Sequence, residues 1–142
     1  MKLYLIFTKK GLAVILALTV LALIIIGQFS TVNKAYADGS THRARMEFLS
    51  YYKIKVNETA VLVKQTRLPQ NATPNLNEYN KIALKGGFDL TDFFGKGVTV
   101  YSYELAEIPQ KTVNLIVCGG KIIAGDITDN LKGNIAPILK DK

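Results

Sequence analysis

Apolar residues fall along this chain in one long block followed by short periodic runs. Gly11 to Phe29 reads GLAVILALTVLALIIIGQF, with only Thr19 and Gln28 carrying polar side chains. At about 1.5 Å per residue, roughly 19 helical positions extend about 28 Å, close to the hydrocarbon thickness of a bilayer. Eleven of the residues from Leu12 to Ile26 are Leu, Ile or Val. At about 0.3–0.6 kcal/mol each, they favour insertion by roughly 5 kcal/mol. Lys2, Lys9 and Lys10 precede the block and only Lys34 follows it closely, which predicts a cytoplasmic N-terminus over 1–10 and an outward-facing remainder. Ala35-Tyr36-Ala37 before Asp38 also fits the small-x-small pattern cut by signal peptidases. The block is thus either a retained transmembrane helix over 11–29, giving a single-pass cell-membrane protein, or a signal core with cleavage after Ala37 and secretion. Both export the C-terminal remainder of the chain.

Residues 30–40 are short, polar and aperiodic, which predicts a tether without fixed structure. From 41 the spacing turns helical: Ala44, Phe48, Leu49 and Tyr52 share a face behind Ser40 or Thr41 as N-cap, with Arg43, Arg45 and Glu47 falling mostly elsewhere. Alternation of Ile54 and Val56 with lysines, then the apolar run 60–63, predicts a strand or hairpin within about 54–68. Pro69 and Pro74 bracket a segment that cannot extend a ladder, and Asn75 or Asn77 is placed to cap a second helix. Leu76, Tyr79, Ile82 and Ala83 mark the buried face of that helix, ended by Gly86-Gly87. Asp89 is placed to cap a short turn before Gly95 and Gly97. Three antiparallel strands are predicted next, over 98–105, 113–118 and 121–127, with Gly119-Gly120 as a two-residue hairpin turn. Residues 136–142 form a tail beyond the domain, and the stretch from Asn130 to Lys142 is read as finishing in a small helix or loose coil. The whole predicts one α+β domain over 41–135, in the order α-β-α-β-β-β. Its sheet is mainly antiparallel, with both helices on one face, behind the N-terminal transmembrane helix.

Charge changes this picture little. The chain carries 18 Lys and Arg against 11 Asp and Glu, a net +7. Lys2, Lys9, Lys10 and Lys34 all precede the first acid, Asp38, so the exported part is left at only +3. Its bases are spread singly rather than gathered on one face, and nucleic acid is not expected as a partner. A single cysteine, Cys118, excludes an internal disulfide and multi-cysteine zinc sites. About 105 residues from Asp38 onward suffice for a single unstapled core.

Candidate chemistry is sparse. Asp126 could bind a cation or ligand with Asp129 and Asp89, or act with a second carboxylate as acid and base, although aspartate after glycine more commonly satisfies turn backbone. The stretch from Asp126 to Asn130 has too few alternating oxygens for a calcium loop. Cys118 and His42 lie on different kinds of element, as buried thiol and tether neighbour, and make a poor nucleophile and base. Gly95-Lys96-Gly97 lacks the following Ser or Thr of a phosphate loop. Tyr101 and Tyr103 share one strand face and, with Phe88 or Phe94, could stack a sugar or peptide, or simply pack under helices. No cofactor or metal is implied.

The strings Gly87-Phe88-Asp89-Leu90, Gly95-Lys96, Tyr101-Ser102-Tyr103, Leu115, Gly120, Gly125-Asp126 and Gly133 form one pattern. With Arg45, Phe48-Leu49, Pro69 and Tyr79-Asn80 upstream, it resembles the bacterial domain of unknown function 4830 family, over residues 45–135. Lys53 stands where that family usually has Gly after the first helix, and Ala124 where a second Gly would precede Gly125. The resemblance implies a membrane-tethered α+β module and no particular activity. The function expected is therefore an extracytoplasmic binding or interaction module for an envelope protein or cell-wall ligand. Phe88, Lys96, Tyr101, Tyr103 and Asp126 are its candidate contacts. The alternatives are an extracytoplasmic enzyme using a carboxylate pair that includes Asp126, and an accessory subunit packing through its apolar helix.

Overall fold

The computed structural model describes residues 36–140. The expected membrane segment 11–29, the basic stretch 1–10 and tether residues 30–35 lie outside the described residues. Among those described, no helix is long and apolar enough to cross a membrane. The elements are α1 (His42–Tyr51), β1 (Leu62–Arg67), α2 (Pro74–Lys85), a single 3-10 turn (Thr91–Phe93), β2 (Gly97–Glu104), β3 (Lys111–Cys118), β4 (Lys121–Asp129) and β5 (Ile135–Pro137). The class is α+β as expected, and the sheet is an antiparallel meander in the order β1-β2-β3-β4-β5.

Local chemistry explains most element ends. Thr41 Oγ1 accepts from the Ala44 N–H at 3.1 Å and starts α1. Lys53 follows that helix with φ of 57°, the left-handed conformation that glycine adopts without steric cost. The α2 cap is Thr73, not Asn75 or Asn77: its Oγ1 accepts from the Leu76 N–H, and Pro74 occupies the first turn. Proline is favoured there because its missing N–H would have had no helical partner. Gly119 and Gly120 turn β3 into β4 with φ of 54° and 76°, both positive as a type I′ turn demands.

Both ends of the domain differ from expectation. Residues expected to be tether lie on the sheet: the Ile122 N–H donates to the Ala37 carbonyl and the Gly39 N–H to the Gly120 carbonyl, each at 2.9 Å. Asp38 thereby bridges Lys121. At the other end, Ile135–Pro137 is a strand rather than helix or coil, paired with residues 126–128. Pro137 is tolerated because β5 is an outer strand. Ile138 then enters the core with no exposure, over Gly125, where a Cβ would come within 2.6 Å of Ile138 Cδ1. Two segments thus cover the β4 edge, one at each end of the strand.

The helices do not share a face. Alternation points Tyr101 and Tyr103 to one side of β2 and Ser102 to the other. Arg45 of α1 meets Tyr101 and Tyr103. Tyr79 of α2 instead bonds Asp126, whose cross-strand partner Asn114 is bonded to Ser102. The core therefore occupies both sides of the central strands, and β4 is buried continuously from Ile122 to Asp126. Removing Ile122 and Ile123 from water contributes about 1.5–3 kcal/mol each.

Candidate functional site

The exposed half of the Tyr101 face forms a groove of about 400 Å³. It runs from Gln65 on β1 across Thr99 and Tyr101 on β2 to Val117 on β3, and the Gly119-Gly120 turn and Ser40 close its end. Register places Gln65 opposite Thr99 and Thr99 opposite Val117, so these three side chains stand in one row on one face. None of the residues lining the groove is charged, and none is a cysteine or histidine.

Under this groove lies an arrangement that the helical spacing understated. Arg45 is 7% exposed, with its guanidinium carbon 3.7 Å from the centroid of the Tyr101 ring. Its Nε donates to the Tyr103 hydroxyl at 2.9 Å and its Nη1 to the Gly39 carbonyl at 2.8 Å. Tyr103 is completely buried, so of the two tyrosines only Tyr101 reaches the groove. The signal was present, because Arg45 precedes Phe48 and Leu49 by three and four residues and so shares their face.

The opposite face holds a polar row. Ser102 Oγ donates to Asn114 Oδ1, and Asn114 Nδ2 donates to Asp126 Oδ1 at 2.8 Å. Thr128 Oγ1 donates to the same carboxylate oxygen at 2.9 Å, and the Tyr79 hydroxyl donates to the other at 2.5 Å. Burial, reinforced by the charge of Asp126 and by this bond, holds the Tyr79 hydroxyl far above the usual tyrosine range. Asp126 is 4% exposed and accepts three hydrogen bonds. The row satisfies it and locks α2 to the sheet.

The other candidates are scattered. Asp129 accepts the Leu131 and Lys132 N–H groups and organises the turn before β5. Asp89 accepts from Asn80 Nδ2 and from the N–H and hydroxyl of Thr91, but the N-cap position of the short turn falls on Leu90, which makes no side-chain cap bond, rather than on Asp89 as expected. Phe88 is buried against Phe48, with centroids 6.2 Å apart. Lys96 is exposed and its ammonium lies 5.0 Å from the Phe93 ring centroid. The Gly95 N–H donates to the Leu68 and Pro69 carbonyls and the Lys96 N–H to the Phe93 carbonyl, so these donors serve the loop itself. Of the candidate contacts, the groove gathers Tyr101 alone. It adds Gln65, Thr99 and Ser40, which as ordinary polar residues of strand and loop gave no sign in the chain.

A second cleft, of about 520 Å³, separates the end of α1 from the segment 54–58. Among the described residues, no three His, Cys, Asp or Glu side chains converge to hold a metal ion. No family model matches this chain, and no curated protein or solved structure shows significant similarity to it.

Proposed function

We propose that this chain is a membrane-tethered extracytoplasmic binding module that holds an envelope protein or cell-wall ligand in the groove beside β1. Residues 11–29 carry the domain across the bilayer, and residues 1–10 remain in the cytoplasm. The apolar length and the lysine asymmetry support this topology, and so does the resemblance to a membrane-tethered family. One observation carries the binding reading: a groove lined by amide, hydroxyl and backbone groups and by Val98 and Val117 around a single tyrosine. Such a lining hydrogen-bonds and stacks a neutral surface and offers no side chain that titrates near neutral pH. Asp126, the carboxylate an enzymatic reading would use, is engaged by three donors on the other face.

The test uses the full chain in cells, with a photo-crosslinking phenylalanine at Thr99 in the groove or at exposed Lys132. Adducts are expected from Thr99 and not from Lys132. Equal adducts from both, or none from Thr99, overturn the reading. Protease added outside spheroplasts is expected to digest the domain, and protection until lysis overturns the topology.

A further inference from the structure

The two margins of the sheet are treated differently. On the far margin, β5 and the segment 37–39 cover β4. On the near margin, β1 pairs only with β2 among the described residues, and all six of its residues are exposed. Val61, Leu62 and Val63 are 52%, 53% and 55% exposed, an apolar run that a closed domain would cover.

The hydrogen-bond phase of this edge is readable. The Leu68 N–H donates to the Lys96 carbonyl, one step beyond the Arg67–Gly97 pair. In an antiparallel ladder the bonded pairs alternate, so Leu62, Lys64 and Thr66 direct their backbone groups at β2. Val63, Gln65 and Arg67 direct theirs outward. The side chains of Val63 and Gln65 stand on the same face as Tyr101 and Thr99, their register partners. A strand added beyond β1 would set alternate side chains beside the groove.

Charge selects what that strand is. Lys64 and Arg67 lie on β1, and no acid occurs from Thr59 to Asn77 or from Gly97 to Tyr103. Among the described residues neither Lys64 nor Arg67 has an acidic partner, and Arg67 Nη1 is turned to the Gly95 carbonyl. Cations on an edge strand discourage pairing with a second copy of the same edge and favour an acidic sequence.

We propose that β1 takes an extended acidic peptide segment of a partner as a sixth strand, bonded to the outward groups of Val63, Gln65 and Arg67, with its acidic side chains on the Lys64 face and its alternate, neutral side chains at the groove. This rests on the binding function proposed for the groove and names the partner's chemistry.

The test measures binding to the full chain in detergent micelles by fluorescence anisotropy. The probes are a nine-residue peptide alternating Glu and Val, the same peptide with Lys for Glu, and the Glu peptide N-methylated at alternate amides. The Glu peptide is expected to bind at least about tenfold more tightly than either relative, because strand addition needs both its charge and its backbone donors. Gln65→Pro removes an outward N–H together with the groove amide, so it is compared with Gln65→Ala, and it is expected to weaken the Glu peptide about tenfold relative to that variant at a similar melting temperature. Should that variant not fold, the methylated peptide makes the same comparison on the natural chain. Lys64→Glu is expected to reverse the preference between the Glu and Lys peptides. Equal binding of the Glu and Lys peptides, indifference to methylation, or no binding overturns the sixth strand, as does a dimer by sedimentation that Gln65→Pro dissolves. The Thr99 crosslink reports separately, so the wider binding reading can survive that failure.

Discussion

Arg45 donates its Nε–H to the Tyr103 hydroxyl at 2.9 Å, joining the first helix to the middle of the sheet across 58 residues of chain. Both groups are buried, and the same guanidinium stacks on Tyr101 and bonds the Gly39 carbonyl. Tyr103→Phe keeps the ring and leaves a buried charged donor without its acceptor. The expected loss is about 1–3 kcal/mol, read as a lower urea midpoint at unchanged slope. Unchanged stability would show that the bond is replaced by another acceptor at no cost.

Tyr79 gives the fold an alkaline limit. Its hydroxyl is held above the ordinary tyrosine value of about 10, first by burial and then by Asp126. The unfolded chain therefore loses this proton at lower pH than the folded one. The stabilisation is complete below about pH 10 and declines as pH rises further, because the unfolded state then binds fewer protons. Tyr79→Phe is expected to lower stability at neutral pH and to flatten the decline between pH 10 and 12, measured by urea denaturation at each pH. Parallel decline in both proteins would remove Tyr79 as its source.

Lys53 occupies a glycine's conformation. At φ of 57° its side chain costs about 1–2 kcal/mol, whereas glycine costs about 0.5–1 kcal/mol more in the unfolded chain. Lys53→Gly is thus expected to stabilise by about 0.5–1 kcal/mol, seen as a raised melting temperature. Lys53→Val is expected to destabilise.

Gly125 has no room for a side chain. A Cβ there would come within 2.6 Å of Ile138 Cδ1 and 3.2 Å of Leu115 Cδ2. Gly125→Ala is expected to cost about 1–3 kcal/mol through displacement of Ile138. Gly39→Ala is expected to act similarly, its Cβ falling 2.6 Å from Ile122 Cγ1. Thermal melts of the two variants check whether both chain segments beside β4 belong to the fold. Wild-type melting in Gly39→Ala would return residues 36–39 to a tether.

Periodicity exposed the strands β2 to β4, the two helices and the glycine hairpin, because each repeats a local signal several times. It missed β5, whose three residues are too few to show a period. It placed the α2 cap at Asn75 or Asn77 because asparagine is a good cap, whereas Pro74 set the start one residue after Thr73. Of the groove, only Tyr101 was legible. Gln65 and Thr99 become neighbours by cross-strand register, which no local spacing records.

By itself the chain determined that it is an α+β domain behind a long apolar block. It also determined where most elements begin and end, since capping, turn geometry and side-chain period act within a few residues. Tertiary structure alone decided which face each helix takes, that residues 36–39 and 135–138 cover one sheet edge, and that β1 is left open. Those outcomes depend on contacts between segments far apart in sequence, where shape and burial choose among arrangements that local preference leaves equal.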